Sequence, residues 1–137
     1  MQLHNTSQYA IRVLGYISKN GHERLFSAKE LSEILTIPYK FLTKIMAELV
    51  KAELIESIKG REGGYKLSKA SSEIRVLDIL NIFNECEHDH MCVLGIGVCD
   101  CNNKCALHDQ WTVPRDLIKN MYADTTLDKL ECGNFKM

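Results

Sequence analysis

Ala10, Val13, Leu14 and Ile17 recur at i, i+3, i+4 and i+7. That spacing puts four apolar side chains on one helical face, so residues 6–19 are expected to form an amphipathic helix. Asn20-Gly21 supplies its stop. Ser27 and Glu30 have the spacing of a capping box, Ser27 as N-cap and Glu30 at N3. Leu31, Ile34 and Leu35 then face the core from a short second helix. A turn through Thr36 and Ile37 follows. Pro38 suits the first turn of a third helix, where its missing N–H costs nothing. Phe41, Leu42, Ile45, Met46 and Leu49 give that helix its apolar stripe.

Two helices joined by a short turn, the second with a polar outer face, form a helix-turn-helix pattern. Many helical hairpins share it, but the next segment narrows the reading. Residues 54–59 and 64–68 read as two short strands around Gly60-Arg61-Glu62-Gly63-Gly64, whose glycines permit a hairpin tip. A hairpin after a helix-turn-helix is a wing. An ordinary hairpin with a solvated tip is the alternative, and the preceding helices favour the wing. Lys59 and Arg61 at its tip are placed to reach phosphates or a narrow minor groove. Tyr39, Lys40, Thr43 and Lys44 lie on the third helix away from its apolar stripe. They are the candidates to enter a major groove, with lysine suited to guanine or phosphate and Tyr and Thr to bases or phosphates.

Residues 73–84 read as a fourth helix through Ile74, Leu77, Ile79, Leu80 and Phe83. A polar, cysteine-rich segment spans 85–105. From Ala106 to Met121 a helical pattern returns through Leu107, Trp111, Leu117, Ile118 and Met121, with Pro114 placed to kink it. Residues 125–130 look like a last short helix with a threonine cap. A long helix whose apolar face a winged helix cannot bury points to a dimer interface, and a two-fold dimer suits a palindromic operator.

A chain of 137 residues suits one domain. No stretch approaches the ~20 apolar residues of a membrane span. Polar residues interrupt positions 1–20 throughout, unlike a signal peptide. A cytoplasmic protein with no membrane partner is the expectation. The formal net charge of -1 conceals an asymmetry. Residues 1–70 carry 11 Lys and Arg against 7 Asp and Glu, whereas residues 71–137 carry 6 against 11. A basic front half can face a polyanion such as double-stranded DNA, although scatter over two solvated faces would give the same totals. No P-loop, Gly-rich dinucleotide motif or nucleophile–base pair is evident, so an enzyme is not expected.

Six cysteines fall at Cys86, Cys92, Cys99, Cys101, Cys105 and Cys132, and five of them lie within residues 86–105. So tight a cluster in a chain without secretion signals reads as metal binding or redox sensing rather than a disulfide framework. The segment is Cys92-x6-Cys99-x-Cys101-x3-Cys105-x2-His108. Structural zinc uses two short Cys-x2-4-Cys knuckles, of which only Cys101-x3-Cys105 is present. An open loop around something larger than one ion fits better, and thiolates with an imidazole suit an iron–sulfur cluster. Iron–sulfur therefore ranks first, zinc second and redox-active thiols third. Gly95, Gly97, Asn102 and Asn103 let the loop close on a cofactor, or mark a plain surface loop. Cys86, at a helix end, reads as a small buried hydrophobe. Cys132 is isolated and is assigned nothing. His4, His22, His88 and His90 lack metal spacing except for His88-x-His90, which reads as solvated.

These residues together resemble a known family. Gln2-Leu3 with Tyr9-Ala10, the turn and helix from Ile34 to Met46, the wing from Gly60 to Leu67, the three spaced cysteines and Thr126-Leu127-x-x-Leu130 match its pattern over residues 1–131. The chain resembles the winged-helix regulators that include IscR, NsrR and CymR, and is most similar to the IscR branch. The wing is the most specific match. The resemblance implies a homodimeric transcription factor with cluster ligands at Cys92, Cys99 and Cys105. His108 falls where the IscR branch places its histidine ligand, beside a [2Fe–2S] cluster. The nitric-oxide branch carries [4Fe–4S] and can take an acidic ligand near position 8. Here that position is Gln8, a poor ligand, which favours His108. Two features depart from the IscR pattern. The first gap has six residues instead of five, and Cys101 is extra and can serve as an alternative fourth ligand.

The expected fold is mainly α with a small β-hairpin: a winged helix-turn-helix domain at 1–84, a cysteine-rich cluster-binding loop at 85–105, and a dimerisation helix with a C-terminal tail at 106–137. The expected function is a sequence-specific repressor that senses redox state, iron–sulfur status or nitric oxide. A zinc-stabilised or thiol-based regulator, and a small electron carrier, are the alternatives.

Overall fold

The computed structural model describes residues 3–21, 24–85 and 90–131. Helix α1 spans Asn5–Asn20. Ala10, Val13, Leu14 and Ile17 are buried along it, as their spacing requires, and Ser7 and Ser18 are buried beside them. Helix α2 spans Ala28–Leu35, and the Ser27 hydroxyl accepts from the Glu30 N–H at 3.1 Å. The Glu30 carboxylate pairs with Arg24, so the second arm of the expected capping box serves an ion pair instead. Leu31 and Leu35 are buried, whereas Ile34 is 44% exposed and does not face the core. The i, i+4 pair defines the covered face of this short helix, and Ile34 sits on its flank.

The turn that follows is tightly bonded. Thr36 takes a left-handed conformation (φ 54°). The Ile37 N–H donates to the Ser32 carbonyl at 3.1 Å, and the Ser32 hydroxyl donates to the Ile37 carbonyl at 2.6 Å. Arg12 on α1 donates to the Leu35 carbonyl at 2.7 Å, placing a cation at the negative end of α2. Helix α3, Tyr39–Lys51, starts after Pro38 and buries Leu42, Ile45, Met46 and Leu49. Phe41 departs from expectation and is 57% exposed. It lies about 100° from Leu42 around the helix, beyond the covered stripe.

Strands β1, Ile55–Ile58, and β2, Gly64–Leu67, pair antiparallel with Ile55 opposite Leu67 and Ile58 opposite Gly64. Phe26 and Tyr65 exchange two backbone hydrogen bonds of 3.2 and 2.8 Å, anchoring the hairpin to the segment before α2. At the tip, a Cβ on Gly63 would sit 2.1 Å from the Ile58 carbonyl oxygen, so only glycine fits without a backbone shift.

Ser71–Glu73 forms one turn of 3₁₀ helix, and helix α4 spans Val76–Ile82, shorter than the expected 73–84. Ile74 is extended because its carbonyl accepts from the Leu127 N–H at 2.9 Å, while the Val76 N–H donates to the Thr125 carbonyl at 2.8 Å. Helix α5 spans His108–Asp124 and runs through Pro114 without a break. Helix α6 spans Leu127–Glu131, and its Leu127 is fully buried in the same core as α1. Both ends of the described chain therefore meet in one hydrophobic core. Among the described residues, no helix is long and apolar enough to cross a membrane.

Candidate nucleic-acid interface and metal centre

Helix α3 exposes Tyr39, Lys40 and Lys44, with Thr43 half-buried between them. The Thr43 hydroxyl donates to the Lys40 carbonyl at 3.0 Å, which leaves its oxygen lone pairs facing outward as acceptors. Lys59 and Arg61 are exposed at the hairpin tip. Phe41 and Ile34 add apolar surface to the same helix-turn-helix unit. Periodicity assigned both to the core, so their exposure was missed.

The cysteine segment folds as a small closed loop. The Cys92 N–H donates to the Gly97 carbonyl at 2.9 Å, and the Gly95 N–H donates to the Cys92 carbonyl at 2.8 Å. Gly95 and Gly97 take φ values of 73° and 63°, so these glycines serve a turn that other residues rarely adopt. The Cys99 N–H closes the loop base by donating to the His90 carbonyl at 2.6 Å. Behind the loop lies a cavity of about 240 Å³, and Cys92, Cys99, Cys105 and His108 all line it. Cys92 is 7% exposed and His108 4%, whereas Cys101 is exposed and stands outside the lining.

His108 is the first residue of α5, and its N–H donates to the Cys105 carbonyl at 3.1 Å. Its ring lies between two thiols. Cys99 Sγ is 3.3 Å from Nδ1, and Cys101 Sγ is 3.8 Å from Nε2. The Leu94 N–H, and after it the Cys105 thiol, stabilise Cys92 as thiolate and hold its pKa below the ordinary cysteine range. Cys105, sharing a hydrogen bond with Cys92, is pushed up. Among the described residues, no three His, Cys, Asp or Glu side chains converge closely enough to hold one metal ion. The four donors are instead distributed around the cavity. Three thiols and an imidazole are the donor types that suit zinc or an iron–sulfur cluster.

The sequence matches the family model described as Rrf2, iron-dependent transcriptional regulator, over residues 3–132. The chain belongs to the Rrf2 family of transcriptional regulators. It is 35% identical over 122 residues to the regulator NsrR of Halalkalibacterium halodurans, covering 82% of this chain and 80% of that protein. It is 34% identical over 140 residues to NsrR of Shouchella clausii, covering 88% and 90%. Its fold is similar to that of CymR, the global cysteine regulator of B. subtilis, with a TM-score of 0.79 at 22% identity over 96% of both chains. The structure of T. potens IscR gives 0.74 at 19% identity over 95% and 85%. This is a winged-helix regulator and not an enzyme.

In this Rrf2 regulator, Glu85 ties the entry to the loop back to α1. Its carboxylate accepts from the His4 N–H at 2.9 Å and from the buried Ser7 hydroxyl at 2.6 Å, and it lies 3.1 Å from His4 Nδ1. The outer face of α5 presents Val113, Leu117 and Met121 to solvent. Cys86, Cys132, His22 and His88 lie outside the described residues, and His90 is exposed.

Proposed function

We propose that this regulator is a cytoplasmic homodimer that represses transcription from a palindromic operator. In this reading it responds to redox state, iron–sulfur status or nitric oxide through a cluster held by Cys92, Cys99, Cys105 and His108. The observation that carries the reading is that these four side chains, separated by up to sixteen positions in sequence, line one cavity at the start of α5. The relatives named NsrR support it, and so does the fold shared with IscR. The fold shared with CymR leaves a thiol-based regulator as the rival. Zinc fits less well, because the donors are spread around a cavity rather than converging on one ion. His108 favours [2Fe–2S] over [4Fe–4S].

The parts then divide by role. Residues 1–84 bind DNA, 85–105 hold the cofactor together with His108, and 106–137 pair the protomers through α5 while α6 packs back into the α1 core. Tyr39, Lys40, Thr43 and Lys44 enter the major groove, and Lys59 and Arg61 reach the backbone or minor groove beside it. When bound, the cluster supplies a charge and ligand set that changes with oxidation, nitrosylation or loss. Cys92, Cys99 and Cys105 would hold it from the loop, and His108 from the first turn of α5. Together they fix α5 against the loop, and Glu85 passes that constraint to α1, which packs on α3. The effect on DNA equals the difference in cofactor binding free energy between the two head arrangements.

The test begins with anaerobic purification, a visible spectrum and assays for iron and acid-labile sulfide. A brown protein with matched iron and sulfide is expected. Operator affinity of the loaded protein should fall steeply with salt, and Arg61→Ala should reduce that salt slope by about one. A protein still colourless after anaerobic reconstitution would remove the cluster. Unchanged operator affinity in a cluster-free Cys92→Ala variant would remove the coupling.

A further inference from the structure

Leu42 is fully buried on α3, and its neighbour Phe41 is 57% exposed. Among the described residues, neither an aromatic ring nor a cation stacks on Phe41. We propose that Phe41 is a sequence-reading residue, whose ring contacts the 5-methyl group of a thymine in the operator's major groove. The inference rests on the reading that α3 enters that groove. It adds to Tyr39, Lys40, Thr43 and Lys44 a residue of different chemistry.

Three observations carry it. First, Phe41 is the third residue of α3. Helical side chains lean toward the N-terminus, so the ring covers the end of the helix that reads base edges in a helix-turn-helix. Second, Lys40 precedes it, Lys44 follows one turn on at about 60° around the helix, and both are exposed. An exposed ring flanked by cations suits a polyanion better than an apolar protein surface. Third, Glu48 is exposed on the same stripe, two turns on and about 20° away. A carboxylate there is repelled by phosphates, so this flank of α3 faces base edges rather than lying along a backbone.

The chemistry of the ring narrows what it can read. A phenyl group has no hydrogen-bond donor or acceptor. Among the groups that base pairs present in the major groove, the thymine 5-methyl is the apolar one. Contact removes ring and methyl from water together, and a base pair without the methyl at that place leaves the ring wet. Ile34 is exposed as well, but it lies on α2, the helix that crosses the backbone in this motif, and it takes no part in the contact.

The experiment uses the full chain, both as purified and after anaerobic reconstitution with ferrous iron and sulfide. Selection from random duplex DNA first yields the preferred operator. Each thymine of one half-site is then replaced singly by deoxyuridine, which keeps the base pair and deletes only the methyl group. Affinities are measured for the unaltered protein, Phe41→Ala, Phe41→Leu and Ile34→Ala, and unfolding midpoints check each fold. At one position deoxyuridine should weaken binding of the unaltered protein about fourfold, the contribution of one buried methyl group. Phe41→Ala should bind the operator more weakly and lose that discrimination. Phe41→Leu should keep part of it, and Ile34→Ala all of it. If Phe41→Ala lowers the unfolding midpoint, Phe41→Gln replaces it in the same comparison. Deoxyuridine that weakens binding at no position, or that weakens Phe41→Ala as much as the unaltered protein, would overturn the proposal. An equal loss of discrimination in Ile34→Ala would do the same. A chain that selects no DNA sequence would instead overturn the groove reading on which the proposal stands.

Discussion

Leu14, Leu42, Met46 and Leu49 are fully buried in the winged-helix head, whereas Val113, Leu117 and Met121 on α5 are 63%, 65% and 53% exposed. The loop shows the same contrast, with Ile96 and Val98 in solvent and only Cys92 and His108 buried near the cavity. The head buries a continuous core within one chain, although Ile34 and Phe41 stay exposed on its surface. The loop and α5 leave their apolar side chains open, and each such side chain offers about 1.5–3 kcal/mol if something covers it. One region is therefore finished by its own sequence. The other leaves an apolar helix face and a cavity open within the chain.

Truncating one leucine in each region would test that contrast. Leu42→Ala should destabilise the fold by about 2–5 kcal/mol, read from urea unfolding, because it leaves a cavity in a closed core. Leu117→Ala should change intrachain stability by no more than about 0.5 kcal/mol. It should nonetheless weaken self-association in sedimentation, and Leu117→Glu should do so more strongly. Equal unfolding costs at the two positions would mean that α5 is covered within the chain, and the contrast would collapse.

Glu85 joins the two regions. Removing its carboxylate removes the acceptor of the buried Ser7 hydroxyl and of the N–H of His4, the N-cap residue of α1. Glu85→Ala is expected to cost about 1.5–3 kcal/mol, since these bonds involve a charged group. Glu85→Gln should recover much of that loss, because an amide oxygen can still accept. Hydrogen exchange should quicken in the first turn of α1 while the α3 core stays protected. Uniform quickening across both helices would show that Glu85 is simply part of the head.

The wing belongs to the head by its anchoring but exposes its tip. Gly63→Ala forces a Cβ against the Ile58 carbonyl and should cost about 1–3 kcal/mol. The damage should fall mainly on the hairpin. DNA affinity is expected to drop more than the cooperative unfolding midpoint. An unchanged affinity would show that the wing does not contact the operator.

Much of the head was legible in the sequence because helical spacing and turn chemistry are local. Ala10 to Ile17, Ser27 and the Gly60–Gly64 tip each announce their element within a few residues. Ile34 and Phe41 were misread because periodicity reports which residues can share a face, not how wide a face the neighbours cover. The shortening of α4 was hidden for a different reason. Ile74 pairs with the segment around Leu127, more than fifty positions away, and no local pattern carries that. At the cavity, the family resemblance proposed the four donors, and the structure distributes them around its lining. That Cys101 stands outside the lining, against the far ring nitrogen of His108, depends on the turn at Asp100–Asn103 and was not visible in the spacing.

The smallest expected effect separates the regions by pH. Partial burial raises the pKa of Asp78, but hydrogen bonds from the Arg75 guanidinium and backbone N–H outweigh it and hold the carboxyl below its ordinary value. A depressed carboxylate stabilises the fold above its unfolded pKa and loses that contribution as pH falls through its folded pKa. Asp78→Asn should therefore lower stability at neutral pH by less than about 1 kcal/mol and flatten the acid limb of a stability–pH curve. The Arg115–Asp116 pair on α5 joins sequence neighbours, with the Arg115 side chain 24% and the Asp116 side chain 62% exposed. Asp116→Asn should leave stability unchanged, because screening by water and the entropy of two long side chains cancel most of its attraction. A comparable loss in both variants would show that α5 is packed as tightly as α4, and that the chain is closed where exposed Val113, Leu117 and Met121 say it is open.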